Sequence, residues 1–125
     1  MSGKYSLERI VFDFYTPVII ANNTFLAEEP ETARAFLDAV SRGYEFAIEH
    51  PREAGEILCK AAPELDPDLV KASQEYLADK YQADAPQWGY IDQERWDAYY
   101  AWLNEKGLTE TPIEAGTGCS NEYLP

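Results

Sequence analysis

The stretch PETARAFLDAVSRGYEFAIEHPREAGEILCKA, residues 30–61, decides the fold of this chain. Its apolar side chains recur at helical spacing, at Phe36 and Val40 and again in the following turns, which is the pattern of one buried helix face. Pro30 and Pro51 each stand where a helix would begin, because the first turn has no intrahelical partner for the N–H that proline lacks. The stretch therefore predicts two consecutive helices that meet at Pro51.

Two further helices are predicted beyond this stretch. Asp66 and Asp92 each precede a helical pattern, and an aspartate at that position caps free amide groups of the first turn. In the first of these helices we expect Leu69 and Tyr76 to face inward. The second is predicted to stop at Gly107, since glycine readily adopts the left-handed conformation of a helix C-cap.

Two short runs ahead of the helices are typical of β-strands. Residues 9–14 alternate in polarity, whereas residues 17–21 begin with proline and are then apolar throughout, as in a strand buried on both faces. A lone pair of strands is marginal in water, so the second strand needs neighbours from elsewhere. We therefore expect a mainly α fold with a short β element (α+β), in which about four helices pack on one or two N-terminal strands.

The length of 125 residues allows one hydrophobic core but not two lobes with a cleft between them. We expect a single domain over the whole chain. Its parts are a flexible leader over residues 1–8, a strand segment over 9–22, a helical region over 30–107 and an extended tail over 108–125.

Charge and hydropathy restrict the partners that the chain is expected to bind. The formal net charge is −13, and a field of that sign repels nucleic-acid phosphates and anionic lipid surfaces. No apolar run reaches the length needed to span a bilayer. We expect no nucleic-acid partner and no direct membrane insertion.

The residues give no catalytic, metal or cofactor set. Acidic pairs stand at predicted helix starts, where capping accounts for them, and no phosphate-binding loop or nucleophile elbow is present. His50 is the single histidine, so no zinc site is expected. Cys59 suits a buried position in a helix, and a bridge between it and Cys119 is left open.

Asp13 and Tyr15 are the candidate ligand-binding residues. They stand at the end of the first predicted strand, beside Pro17, and strand ends are where α/β proteins often hold ligands. The alternative is a solvated turn acid next to a packed tyrosine.

Several phrases, taken in order, resemble a known family. They are DFYTPVII at 13–20, GYEFAI at 43–48, ADAPQWG at 83–89 and NEYLP at 121–125. Together they resemble the C-terminal segment of ABC-transporter solute-binding proteins for thiamine precursors, a group that includes the fungal thiamine-pyrimidine synthases. The resemblance extends over residues 10–125.

The resemblance implies the C-terminal part of a type 2 periplasmic-binding-protein fold, whose two lobes close on an aminopyrimidine. Residues 9–22 would then cross the hinge, with Asp13 and Tyr15 alone facing the cleft. The expected function is that of a partial solute-binding protein and not of an enzyme. Such a chain would bind an aminopyrimidine thiamine precursor only when a partner chain or a homo-oligomer supplies the missing lobes. The alternative is a stand-alone helical interaction module that dimerises and binds no small molecule. The expected compartment is extracytoplasmic for a segment of a receptor and cytoplasmic if Met1 is the natural start.

Overall fold

The computed structural model describes residues 13–125, and the regular secondary structure of this part is five α-helices. They are α1 (Asn23–Glu28), α2 (Pro30–Glu49), α3 (Pro51–Ala61), α4 (Pro67–Leu77) and α5 (Gln93–Glu105). The leader predicted over residues 1–8, and most of the first predicted strand, lie outside the described residues. Within residues 13–125, no helix combines the length and the apolar character that a membrane span requires.

The predicted β element is wrong, since no strand is present within residues 13–125. Val18, Ile19 and Ile20 are irregular in backbone and exposed, and Ile20 exposes 87% of its surface. A run of β-branched residues favours a strand only where another strand pairs with it, and none does so in the described part of the chain. The α+β fold with helices packed on strands is therefore replaced by a helical one.

Asn22 begins a helix where the sequence had predicted only a break. Its side-chain Oδ1 accepts hydrogen bonds from the N–H groups of Thr24 at 2.7 Å and Phe25 at 3.4 Å. This is the N-cap geometry that asparagine favours, and it produces α1, which was not predicted.

The four predicted helix starts are confirmed. Proline opens α2, α3 and α4. Asp66 accepts from the N–H groups of Asp68 at 2.9 Å and Leu69 at 3.0 Å, and Asp92 caps α5 by accepting from the N–H of Arg95 at 2.8 Å. Gly107 follows α5 with φ +63°, as predicted for a left-handed C-cap.

Residues 21–90 and 120–125 form one compact unit, here called the helical unit, which contains α1 to α4. Its buried hydrophobic side chains among the described residues are Ala33 and Val70. The prediction that Leu69 and Tyr76 face inward is wrong, because they expose 69% and 66% of their surfaces. The sequence pattern identified an apolar face on α4 but not whether anything covers it.

Within the helical unit, residues 120–125 are held against α2 by the side chain of Arg34. The guanidinium donates a hydrogen bond to the backbone carbonyl of Glu122 and lies 5.4 Å from the ring centroid of Tyr123. On the same helix, Tyr44 stacks on Trp88 with ring centroids 4.4 Å apart. These contacts attach segments without regular structure to the longest helix.

The described part of the other unit, here called the α5 unit, is residues 13–20 and 91–119. Its tail is bonded to α5: the side-chain amide of Asn104 exchanges hydrogen bonds of 2.8 and 2.9 Å with the backbone of Ile113. Further along, Asp97 Oδ1 accepts from the N–H of Gly116 at 2.9 Å. This unit holds both candidate ligand-binding residues.

Candidate functional site

Asp13 and Tyr15 come together on one side chain of α5, that of Arg95. The Nη2 of Arg95 forms an ion pair with Oδ1 of Asp13. The guanidinium carbon of the same side chain lies 4.1 Å from the centroid of the Tyr15 ring, a cation–π distance. The cluster of Asp13, Tyr15 and Arg95 is here called the Arg95 cluster.

Tyr15 is fixed by contacts at both its hydroxyl and its ring. The hydroxyl accepts a hydrogen bond of 3.0 Å from the N–H of Asp92, the N-cap of α5. The ring lies 6.4 Å from the ring of Trp96, at an interplanar angle of 28°. With Arg95 also against the ring, the hydroxyl is the part of Tyr15 best suited to contact a ligand, since it can still donate its own proton.

Asp13 is held at one oxygen and open at the other. Its side chain is 69% exposed, and Arg95 is the partner of its carboxylate among residues 13–125. An ionised carboxylate accepts at both oxygens, so Oδ2 can accept from an N–H group brought from solution. The solvated acid and the packed tyrosine of the alternative are both present, and ligand binding by the two residues stays a prediction.

Arg95 keeps its charge under all ordinary conditions. Partial burial lowers the pKa of Arg95, but its interactions with Tyr15 and Asp13 outweigh that effect and leave the pKa above its usual value. The Nε of Arg95 is buried and has no hydrogen-bond acceptor in the described part of the chain, and the same holds for Nε1 of Trp96. A buried N–H donor without an acceptor costs stability.

Reasoning from sequence did not identify Arg95, although a signal for it was present. It is the one basic residue between Lys80 and Lys106, and it lies in the first turn of α5. A cation there opposes the helix dipole, which favours acidic residues at that end. An arginine at such a position indicates an acidic partner from another segment, and Asp13 is that partner.

The described residues suggest no second chemical site. Both cysteines are free thiols, and no group of three histidine, cysteine or acidic residues within 13–125 is arranged to hold a metal ion. Burial raises the pKa of the Cys119 thiol, whose Sγ lies 3.5 Å from the side-chain oxygen of Gln93. A thiol with a raised pKa is a poor nucleophile at neutral pH.

Comparison with known proteins confirms the resemblance. Residues 5–54 match the family model described as "NMT1/THI5 like". The formylaminopyrimidine-binding protein of Halalkalibacterium halodurans is 29% identical over 102 residues, which are 78% of this chain and 31% of the relative. The 4-amino-5-hydroxymethyl-2-methylpyrimidine phosphate synthase of Candida albicans is 38% identical over 116 residues, 89% of this chain and 31% of the relative.

A third relative is named for a different ligand. The riboflavin-binding protein RibY of Chloroflexus aurantiacus is 24% identical over an alignment 125 residues long, gaps included, that covers 92% of this chain and 34% of the relative. The chain thus spans about a third of the length of the curated relatives that it matches. It is a partial homologue of solute-binding proteins, and two of these three relatives are named as binding proteins while one is named as a synthase.

Proposed function

We propose that this chain is the part of an aminopyrimidine-binding protein that contributes Asp13 and Tyr15 to the ligand site. The observation that carries the proposal is the state of the Asp13 carboxylate, which is held at Oδ1 by Arg95 while its side chain stays 69% exposed. A fixed, open carboxylate oxygen suits the amino group of an aminopyrimidine, which donates N–H. The Tyr15 hydroxyl, held by the N–H of Asp92, can donate to a ring nitrogen.

The chain acts in this proposal as one partial domain of a larger assembly. Two of its relatives are named for pyrimidines, and each is about three times as long as the matched segment. Ile57 and Leu69 are more than half exposed, and large exposed apolar side chains are typical of surfaces that other polypeptide covers. We propose that a partner chain or a second copy supplies this cover together with the other ligand contacts.

We propose binding and not catalysis as the activity. The relatives named for formylaminopyrimidine and riboflavin are binding proteins. The Arg95 cluster offers hydrogen-bonding groups and a permanent cation, which suit the binding of a polar ligand. Turnover of an aminopyrimidine that disappears in Asp13→Asn would contradict this part of the proposal.

Calorimetric titration with 4-amino-5-hydroxymethyl-2-methylpyrimidine tests the binding function, with thermal unfolding as a second readout. A ligand that binds the folded state raises the unfolding temperature. We expect binding to the oligomer that the chain forms at high concentration, where a second copy supplies the other contacts, and loss of at least about tenfold in affinity in Asp13→Asn, because an amide presents one acceptor oxygen and no charge. Asp79→Asn is the matched control, since Asp79 is an exposed acid whose partner is the adjacent Lys80 at 2.9 Å.

Three outcomes would contradict the proposal. Absence of heat and of a thermal shift at saturating aminopyrimidine, at chain concentrations that give the oligomer, would remove ligand binding from this chain. Binding of riboflavin in preference to the aminopyrimidine would replace the ligand class, as the similarity to RibY allows. An equal loss of affinity in Asp79→Asn and Asp13→Asn would remove Asp13 from the site.

The second candidate function is a helical interaction module that dimerises and binds no small molecule. The observation that favours it is the exposure of Leu69 and Tyr76 on α4, at 69% and 66%. Sedimentation over a range of concentrations tests it: a dimer that dissociates in Leu69→Asp, in a chain without ligand binding, supports the module. A monomer at all concentrations excludes it.

A further inference from the structure

Arg95 contacts both residues of the proposed ligand site at the same time. Its Nη2 holds Oδ1 of Asp13, and the plane of its guanidinium covers the ring of Tyr15 at 4.1 Å. Both contacts come from one planar group, so a movement of the guanidinium changes its contacts with the carboxylate and with the ring together. The relative position of the two ligand-contacting groups is therefore set by a side chain that is not itself one of them.

The same contacts leave the ligand-facing atoms available. Arg95 holds Oδ1 of Asp13, and the Asp13 side chain stays 69% exposed. The Tyr15 hydroxyl accepts from the N–H of Asp92, which fixes the oxygen and leaves its proton to be donated. Arg95 thus contacts both residues while the Asp13 carboxylate can still accept, and the Tyr15 hydroxyl can still donate, a further hydrogen bond.

Arg95 has this geometry at a cost to stability. It places a cation in the first turn of α5, where the helix dipole is unfavourable to it. Its Nε is a buried donor without an acceptor in the described residues. Local features that oppose stability are typical of functional sites, where the arrangement itself is used.

We propose that Arg95 is the positioning residue of the aminopyrimidine site, which it forms by fixing the Asp13 carboxylate against the Tyr15 hydroxyl. This inference depends on the proposed function for its ligand and on the Arg95 cluster alone for its geometry. Arginine suits the role better than lysine, because its planar group can pair with a carboxylate and cover an aromatic ring at once.

The ligand arm of the test measures the dissociation constant for the aminopyrimidine in Arg95→Lys and Arg95→Gln. Glutamine removes the charge and the planar cation, and we expect affinity to fall by at least about tenfold. Lysine restores the ion pair but not the cover of the ring, and we expect a smaller loss. The matched control is Arg52→Gln, which removes an ion pair of 2.9 Å to Glu75 in the helical unit and should leave affinity unchanged.

A purely structural role predicts a different pattern. The loss of affinity would then follow the loss of thermal stability. If Arg52→Gln and Arg95→Gln lowered the unfolding temperature equally, they would also lower the affinity for the aminopyrimidine equally. Unchanged affinity in Arg95→Gln would overturn the proposal. Tighter binding would also overturn it, because Arg95 would then be a competitor of the ligand for Asp13.

A ligand-free arm separates failure of this inference from failure of the binding function. The amide of Asp92 donates to the Tyr15 hydroxyl, so its NMR resonance reports where that hydroxyl lies. We expect Arg95→Gln to displace this resonance in the same direction as Tyr15→Phe, with partial return in Arg95→Lys and no displacement in Arg52→Gln. If the chain binds no aminopyrimidine, the proposed function fails, and an unmoved Asp92 resonance in Arg95→Gln independently overturns the positioning role.

Discussion

Gly118 offers a sharp test of the packing between the tail and α5. Its φ of +81° lies in the left-handed region, and a Cβ atom there would overlap the hydroxyl of Tyr100. The same Cβ would lie 3.2 Å from Cζ of Tyr100 and 3.4 Å from Nε1 of Trp96. Gly118→Ala must therefore strain the backbone and displace the Tyr100 ring.

The two costs can be separated with Gly116. It has φ +77° and nothing within 4 Å of its Cβ position, so Gly116→Ala carries the backbone strain alone, about 1–2 kcal/mol. Gly118→Ala adds the disturbance of the edge-to-face contact between Tyr100 and Trp96, whose centroids are 5.8 Å apart, and such contacts contribute about 1 kcal/mol. The expected total for Gly118→Ala is about 2–3 kcal/mol.

Urea unfolding followed by tryptophan fluorescence measures both losses. The decisive comparison is Gly118→Ala with and without Tyr100→Phe, because removing the hydroxyl removes the closest overlap. We expect the double variant to recover part of the stability lost in Gly118→Ala. Equal losses in Gly116→Ala and Gly118→Ala, with no recovery in the double variant, would refute the reasoning.

Three further predictions concern helix packing, capping and the partly buried thiol of Cys119. Gly55→Ala should stabilise the chain by about 0.5–1 kcal/mol, because alanine has the higher helix propensity. The new methyl would lie 3.5 Å from Cγ1 of Val70, which is an ordinary contact distance. A loss of stability in urea unfolding would contradict this prediction. Asp66→Ala should cost about 1 kcal/mol through loss of two hydrogen bonds to free amides of α4, and an unchanged urea midpoint would contradict the capping role. Burial raises the pKa of Cys119, so its stabilising contribution is complete below the usual thiol pKa and is lost as pH rises through the raised value. Alkylation of Cys119 at neutral pH, followed by mass spectrometry, should accordingly be slower in the folded chain than in urea, and equal rates would contradict it.

The helix starts were predictable because their causes lie within a few residues. Pro30, Pro51 and the Asp66 cap act through the first turn of their own helices, and the structure has each of them in that role. The strand predicted at residues 17–21 was wrong for the converse reason. A strand depends on a partner distant in sequence, and the described residues supply none.

The contacts of the two candidate ligand-binding residues were not predictable for a related reason. Asp13 and Tyr15 stand out by their position beside Pro17, but what they contact depends on a side chain some eighty positions further on. Arg95 could have been suspected from its charge in a first helical turn, although nothing local names its partner. Similarly, the pattern of α4 identifies Leu69 as part of an apolar face but does not determine whether that face is covered.

The bond between Arg34 and the carbonyl of Glu122 has a consequence for synthesis on the ribosome. The helical unit joins residues 21–90 to residues 120–125, while the α5 unit takes the residues in between. Residues 21–90 are made first, as chains generally fold from the N-terminal side during synthesis, but Arg34 gains its partner only after residue 122 has emerged. The helical unit therefore cannot complete its contacts in the order in which it is translated, because the contact between Arg34 and Glu122 forms only after α5 has been made.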